Sequence, residues 1–241
     1  MPTKSTLENL SIILESQEIL ADLETPVSAF QKLCQNKPFS FLLESVEGGE
    51  NLGRYSIIGY DPILTIKNFN NKTIIEKSYD KSSIEIEIDS SPFDALENIT
   101  KTINLPKENG ASQFIGFIGY FSYETFRHIE PKVKLKANQK LPDSYLILPG
   151  KLIIYDHIKH KINLISLSVK ENEEKENLKT NIEDMLKILQ APFIHNQILL
   201  KEDKAQAPSF TSNYSKESYM EMVKEAKKYI YSGDVFQIVP S

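Results

Sequence analysis

Residues 62–89, PILTIKNFNNKTIIEKSYDKSSIEIEID, contain three short apolar runs, and in the last of them Ile84, Ile86 and Ile88 alternate with Glu85 and Glu87. Successive side chains of a strand point to opposite faces of the sheet, so this alternation marks a sheet with one face in water. Read in order, PILTIKN, KTIIEKS and SIEIEID form an antiparallel meander. On the N-terminal side, an apolar run from Phe39 ends in Glu44 and Ser45, and Gly48, Gly49 and Gly53 punctuate a turn before RYSIIGYDP. Two strands joined by a glycine-rich loop fit this pattern.

Helices flank the meander. Thr25 can cap and Pro26 suits the first helical position ahead of Val27, Phe30, Leu33 and Cys34. Ser91 and Pro92 repeat the signal ahead of Phe93, Leu96, Ile99 and Ile103, predicting a second helix that covers the sheet. QFIGFIGYFSYETF follows, aromatic-rich, with Gly116 and Gly119 placed where a buried strand needs a backbone or ring to come close. Its Tyr120, Tyr123 and Phe126 are read as core, the commoner fate of an aromatic stripe. YLILPGKLIIYDH and KINLISLSV read as strands around a proline-glycine kink and a turn near Lys159. In ENEEKENLKTNIEDMLKILQ, residues Leu178, Ile182, Met185, Leu186 and Leu189 recur at helical spacing, giving a surface helix with one apolar face. The expected class is α+β, a mainly antiparallel sheet with helices packed on it.

Between residues 191 and 213 the periodicity breaks into prolines and polar residues, the composition of a linker. The expected organisation is therefore a first domain over 1–190, a linker over 191–213 and the start of a second domain over 214–241. In the last, Ser215 caps a helix carrying Tyr219, Met222, Val223, Ala226, Tyr229 and Ile230, and Gly233 supplies its stop. DVFQIVPS then begins like a strand, at an edge or bulge because of Pro240. One helix and half a strand cannot bury their apolar faces alone, so the second domain is expected to be truncated.

Composition narrows the function. Forty per cent of the 241 residues are hydrophobic and 25% charged, enough for a core. The net charge of −5, with basic and acidic residues interleaved, provides no footprint for a phosphate backbone, so nucleic acid is not an expected partner. Cys34 is the only cysteine, which excludes an internal disulfide or a thiolate-rich metal site and fits the cytoplasm. The apolar stretch near the N-terminus is too short and too interrupted by charge for a signal peptide, and no run reaches membrane-span length.

Four segments together resemble one known family. FLLESVEGGENLGRYSIIGYDP (41–62), FIGFIGYFSYETFRHIE (114–130), YDHIKHKINLISL (155–167) and YIYSGDVFQIVPS (229–241) are similar, in order and spacing, to the large subunit of anthranilate synthase. The resemblance implies a regulatory N-terminal domain followed by a chorismate-binding domain of which only the first helix and strand are present. It implies conversion of chorismate and ammonia to anthranilate and pyruvate, with ammonia released from glutamine by an amidotransferase subunit. Magnesium would be the cofactor, with its carboxylate ligands outside these residues, so the chain by itself is expected to be inactive. The LLES motif is, in the family, where L-tryptophan binds as feedback inhibitor. By that resemblance Ser45 is the first ligand candidate, Leu43 and Glu44 flank it, and Arg54 is a further candidate beyond the glycine loop. A zwitterion bearing an indole needs such anionic, hydroxyl and apolar groups. Part of the family's pocket wall comes from the second domain, so weak or absent tryptophan binding is expected here.

Gln237 is the one candidate for the active site. Relatives that add water to chorismate carry lysine at the matching position. An amide cannot act as that base, which suits a nucleophile, ammonia, that needs none. Two other readings stay open: a non-catalytic tryptophan-sensing or docking module, and the large subunit of aminodeoxychorismate synthase. Against a phosphate cradle, EGGENLGR runs into a strand where a P-loop would enter a helix. Against a metal site, positions three apart on a strand face opposite sides, so His157 and His160 of DHIKH cannot converge unless a turn intervenes.

Overall fold

A computed structural model describes residues 9–44, 53–69, 72–78, 80–87, 91–107, 110–135, 141–171, 175–192, 209 and 211–240. The chain separates into two compact units, Met1–Ile194 and His195–Ser241.

The first unit is a mixed sheet, almost entirely antiparallel, with helices on both faces. Its strands and helices are β1 (Leu10–Leu20), α1 (Pro26–Cys34), β2 (Phe41–Leu43), β3 (Tyr55–Phe69), β4 (Lys72–Lys77), β5 (Ser82–Glu87), α2 (Pro92–Thr102), β6 (Ile103–Asn104), β7 (Ile118–Phe121), α3 (Phe126–Ile129), β8 (Ser144–Asp156), β9 (Lys161–Val169) and α4 (Lys175–Gln190). Among the described residues the strand order is β5-β4-β3-β8-β9-β1-β6, with β2 paired to β3 and β7 to β8. Among the described residues only the short β1–β6 pairing is parallel.

Alternation along the central strands divides the core in two. Leu152 and Ile154 of β8 join Leu64 and Ile66 of β3 and Ile165 and Leu167 of β9 in one cluster, closed by Ile99 of α2. Ile153 and Tyr155 of β8 point the other way, to Ile58 and Tyr60 of β3 and Leu164 of β9, under α1 and α4. Burial on both faces explains why β8 reads as a nearly unbroken apolar run. Each of these side chains removed from water contributes about 1.5–3 kcal/mol.

The helix starts follow their caps. Ser28 N–H donates to Thr25 Oγ1 at 3.1 Å, Asp94 N–H to Ser91 Oγ at 3.2 Å, and Pro26 and Pro92 open the two helices. α4 buries Leu178, Ile182, Met185 and Leu189, the stripe its spacing predicts.

Four features differ from the sequence reading. RYSIIGYDP and PILTIKN are not separate: β3 runs through them, with a register shift between Pro62 and Leu64 where Asp61 takes φ 49°. Gly150 faces this bulge, and a Cβ there would lie 2.4 Å from the Asp61 carbonyl oxygen. Second, β1 was not anticipated, because its interior Glu15, Ser16 and Gln17 hide a strand that pairs with all of β9. Third, the aromatic segment is not core: Tyr120 (44% exposed), Tyr123 (77%) and Phe126 (43%) lie at the surface. The reason is topological. β7 occupies the edge of only the first four residues of β8, opposite Ser144–Ile147, so its side chains have neighbours on one side. Gly119 does make the close approach expected, a Cβ falling 1.9 Å from the Tyr145 carbonyl oxygen, whereas Gly116 has nothing within 4 Å.

The second unit contains α5 (Lys216–Ser232), capped by Ser215 and stopped by Gly233 at φ 80°. The fourth difference is here: residues 234–240 form no strand. A strand needs a partner ladder, none of the described residues of this unit offers one, and Pro240 has no N–H to give.

Candidate functional site

β2 places the LLES motif. Its three residues pair antiparallel with β3, Phe41 opposite Gly59, Leu42 opposite Ile58 and Leu43 opposite Ile57. Leu42 packs against the cluster under α1 and α4, so Leu43, one residue on, turns the other way and is 47% exposed. Glu44 follows at the surface. Ser45, the leading ligand candidate, lies outside the described residues.

Arg54 precedes β3 at the same end of the sheet, three residues from Ile57 and therefore about 10 Å from Leu43 along the strand direction. Its guanidinium is fixed by Asp156 at the end of β8: Nε donates to both carboxylate oxygens at 3.2 Å and Nη2 to Oδ2 at 2.7 Å. This hydrogen bonding from Arg54 holds the Asp156 carboxyl below its ordinary range, with burial working against it. The guanidinium also lies 4.8 Å from the Tyr55 ring centre, and that ring meets Phe114 edge-on at 4.9 Å. Asp156 thus takes Nε and Nη2 of the five-donor fork, and no acceptor among the described residues takes Nη1. A cation held this way, at the same end of the sheet as the exposed Leu43 and Glu44, can receive a carboxylate ligand without first being ordered.

Sequence reasoning missed the partners of this corner. Asp156 drew attention only as the first residue of DHIKH. It serves instead as the anchor of Arg54, and its Oδ1 also accepts the Lys159 N–H at 3.1 Å. Ser56 Oγ and His157 Nε2 lie 2.7 Å apart. The residues of each pair are about a hundred positions apart in sequence, and only the β3–β8 register, Tyr55 opposite Asp156, brings them together. His160 sits in the following turn with φ 53°. Among the described residues no three His, Cys, Asp or Glu side chains gather in a way that could hold a metal ion. Magnesium, which asks for carboxylate oxygens in near-octahedral array, therefore finds no cradle in the described part of the chain. Gln237 belongs to the second unit, exposed in the irregular segment after α5. Among the described residues no helix is long and apolar enough to cross a membrane.

Comparison with known proteins bears on the whole length. Residues 38–241 match the family described as chorismate binding enzyme. Anthranilate synthase component 1 of Acetivibrio thermocellus is 34% identical, the alignment covering 99% of this chain and 49% of that protein. Its counterpart in Aquifex aeolicus is 32% identical, with coverage of 97% and 48%. This chain thus spans about half the length of the curated relatives it matches. The crystal structure of anthranilate synthase component I from Streptococcus pneumoniae shares the fold, with a TM-score of 0.53 at 23% identity over 90% of this chain and 46% of that one. With the family pattern matched from Pro38 to the last residue, the chain belongs to the chorismate-binding enzyme family.

Proposed function

We propose that these residues are the inhibitor-sensing portion of an anthranilate synthase large subunit, acting in the cytoplasm. The observation that carries this reading is the run of curated relatives of that name, 32–34% identical along nearly the whole chain. In support, the matched stretch, residues 38–241, spans the positions of LLES, Arg54 and Gln237. The reaction is chorismate plus ammonia to anthranilate, pyruvate and water, with an amidotransferase subunit supplying the ammonia from glutamine. Magnesium supplies charge neutralisation at the substrate carboxylate when bound, and its ligands are not among the residues described here.

On this reading L-tryptophan is held by Ser45 and Glu44 at its polar end, by Leu43 along its ring and by Arg54 at its carboxylate. The fixed guanidinium gives that carboxylate a preordered partner. The remaining wall of the pocket is not provided by this corner, so affinity should be weak.

The test has two arms. Titration with L-tryptophan, followed by amide NMR, is expected to shift Leu43, Glu44 and Arg54 with an affinity on the order of 1 mM, and Ser45→Leu should abolish the shifts. Shifts elsewhere, or none, would refute the site, and micromolar affinity would refute the incomplete pocket. In the second arm the 241-residue chain receives chorismate, magnesium and ammonium salt. Anthranilate fluorescence should not appear, and its appearance would show that these residues hold the catalytic centre.

A further inference from the structure

A cavity of about 740 Å³ lies over the β3 bulge, beside the residues that lead into β2 and the end of β4, and it shares no residue with the LLES corner. Arg54 is eight residues back along β3 from Pro62, about 25 Å away. The cavity opens on the face that carries α1 and α4. Tyr60, Lys151 and Ser166 are successive cross-strand partners there, and Asn181 of α4 is in its wall.

Three observations indicate a ligand. Ser166 is 1% exposed at the cavity floor, and among the described residues its hydroxyl has no hydrogen-bond partner. Buried hydroxyls are nearly always paired, so this one is a donor awaiting an acceptor. Next, the lining is charged. Lys77, Lys81 and Lys151 line the cavity with Asp61 and Glu76. Both carboxylates are already held by ammonium groups, Asp61 by Lys37 at 3.0 Å and Lys151 at 3.3 Å, and Glu76 by Lys67 at 2.8 Å. Glu76 further accepts the Thr65 hydroxyl at 2.9 Å. Finally, of the five non-glycine residues with positive φ among those described, three line this cavity: Phe39 at 59°, Asp61 at 49° and Lys81 at 56°. Unfavourable backbone gathered around one cavity is the pattern of a site held in shape by the surrounding fold.

We propose that this cavity binds a small organic carboxylate. Lys151 turns from Asp61 to the ligand's carboxylate, which leaves Asp61 paired with Lys37, and the Ser166 hydroxyl beneath donates to the same group. Phe39, Pro62 and Ile63 meet the ligand's apolar body at the rim. Such a site would sense a metabolite independently of the LLES corner.

The probe is sodium benzoate, with benzamide as its neutral counterpart of the same shape, titrated into the 241-residue chain and followed by amide NMR. Benzoate is expected to produce saturable shifts at Gly150, Lys151, Ser166 and Leu167 that benzamide does not. Lys151→Met and Ser166→Ala should each weaken binding about tenfold. Ser166→Ala should leave the melting temperature unchanged or raised, because the hydroxyl it removes has no partner to lose. A purely structural serine would instead lower it. The proposal is overturned if benzoate gives no saturable shifts by about 20 mM, if benzamide matches it, if the shifts centre on Arg54, or if both variants bind like the parent.

Discussion

Replacing Gly119 by alanine sets a methyl group against the backbone of β8. The added Cβ would fall 1.9 Å from the Tyr145 carbonyl oxygen and 2.9 Å from the Leu146 Cα. Neither is the end of a flexible side chain, so β7 must move off β8. The pairing that runs from Ile118 opposite Ile147 to Phe121 opposite Ser144 is then lost, along with the Ser122 N–H to Asp143 carbonyl bond of 2.7 Å. A few such bonds, at about 1 kcal/mol each, put the cost on the order of 3 kcal/mol. For a unit of this size that is a fall in melting temperature of about 6–12 °C. Gly116→Ala is the internal control: three residues away in the same IGFIG segment, it has nothing within 4 Å and should be neutral or stabilising by up to about 1 kcal/mol. Urea and thermal unfolding of both variants, read by far-ultraviolet circular dichroism, provide the assay. Equal losses for the two, or a Gly119→Ala protein within about 0.5 kcal/mol of the parent, would refute the close approach.

Further outcomes follow from two titrating groups. Burial pushes the Cys34 thiol up to about 11, with Lys37 lowering and Asp61 raising it. The native protein should therefore react with a thiol-specific disulfide reagent at pH 8 only as fast as the first unit opens, and prompt reaction would show the thiol to be accessible. A thiol raised in the folded state also means stability that is intact below the unfolded value near 8.5 and declines as pH rises through the folded one. Asp156 shifts the other way, held low chiefly by hydrogen bonds from Arg54. Its contribution is present above the unfolded value of about 3.9 and is lost as pH falls through the lower folded one. Asp156→Asn should accordingly be less stable than the parent at pH 7, and the two unfolding curves should converge below about pH 4. A gap that persists in acid would assign the loss to packing.

Much of the fold was legible because the information was local. Alternation in SIEIEID, the Thr25-Pro26 and Ser91-Pro92 starts and the apolar stripe of α4 each depend on residues within a few positions of one another. What escaped depended on pairing across the chain. β1 carries polar residues in mid-strand and becomes a strand because β9 lies beside it. The aromatic segment near Tyr120 looked like core because sequence does not reveal that its strand would sit at an edge. The site divides the same way. Leu43, Glu44 and Arg54 are candidates named from a motif, while Asp156, which orders Arg54, emerges only from the register of β3 on β8.

The pairing of β3 with β8 has a consequence during synthesis. β3 ends at Phe69, and the strand that covers its long edge begins at Ser144. At 5–20 residues per second a ribosome takes on the order of 4–15 s to make the intervening chain. Throughout that interval a fifteen-residue strand, rich in isoleucine and leucine, has its central edge open to any neighbour. The β2 and β4 pairings can shield only its opposite side. Yield in cells should therefore depend on translation speed between residues 70 and 160, and on chaperones present during those seconds, more than on the stability of the finished sheet.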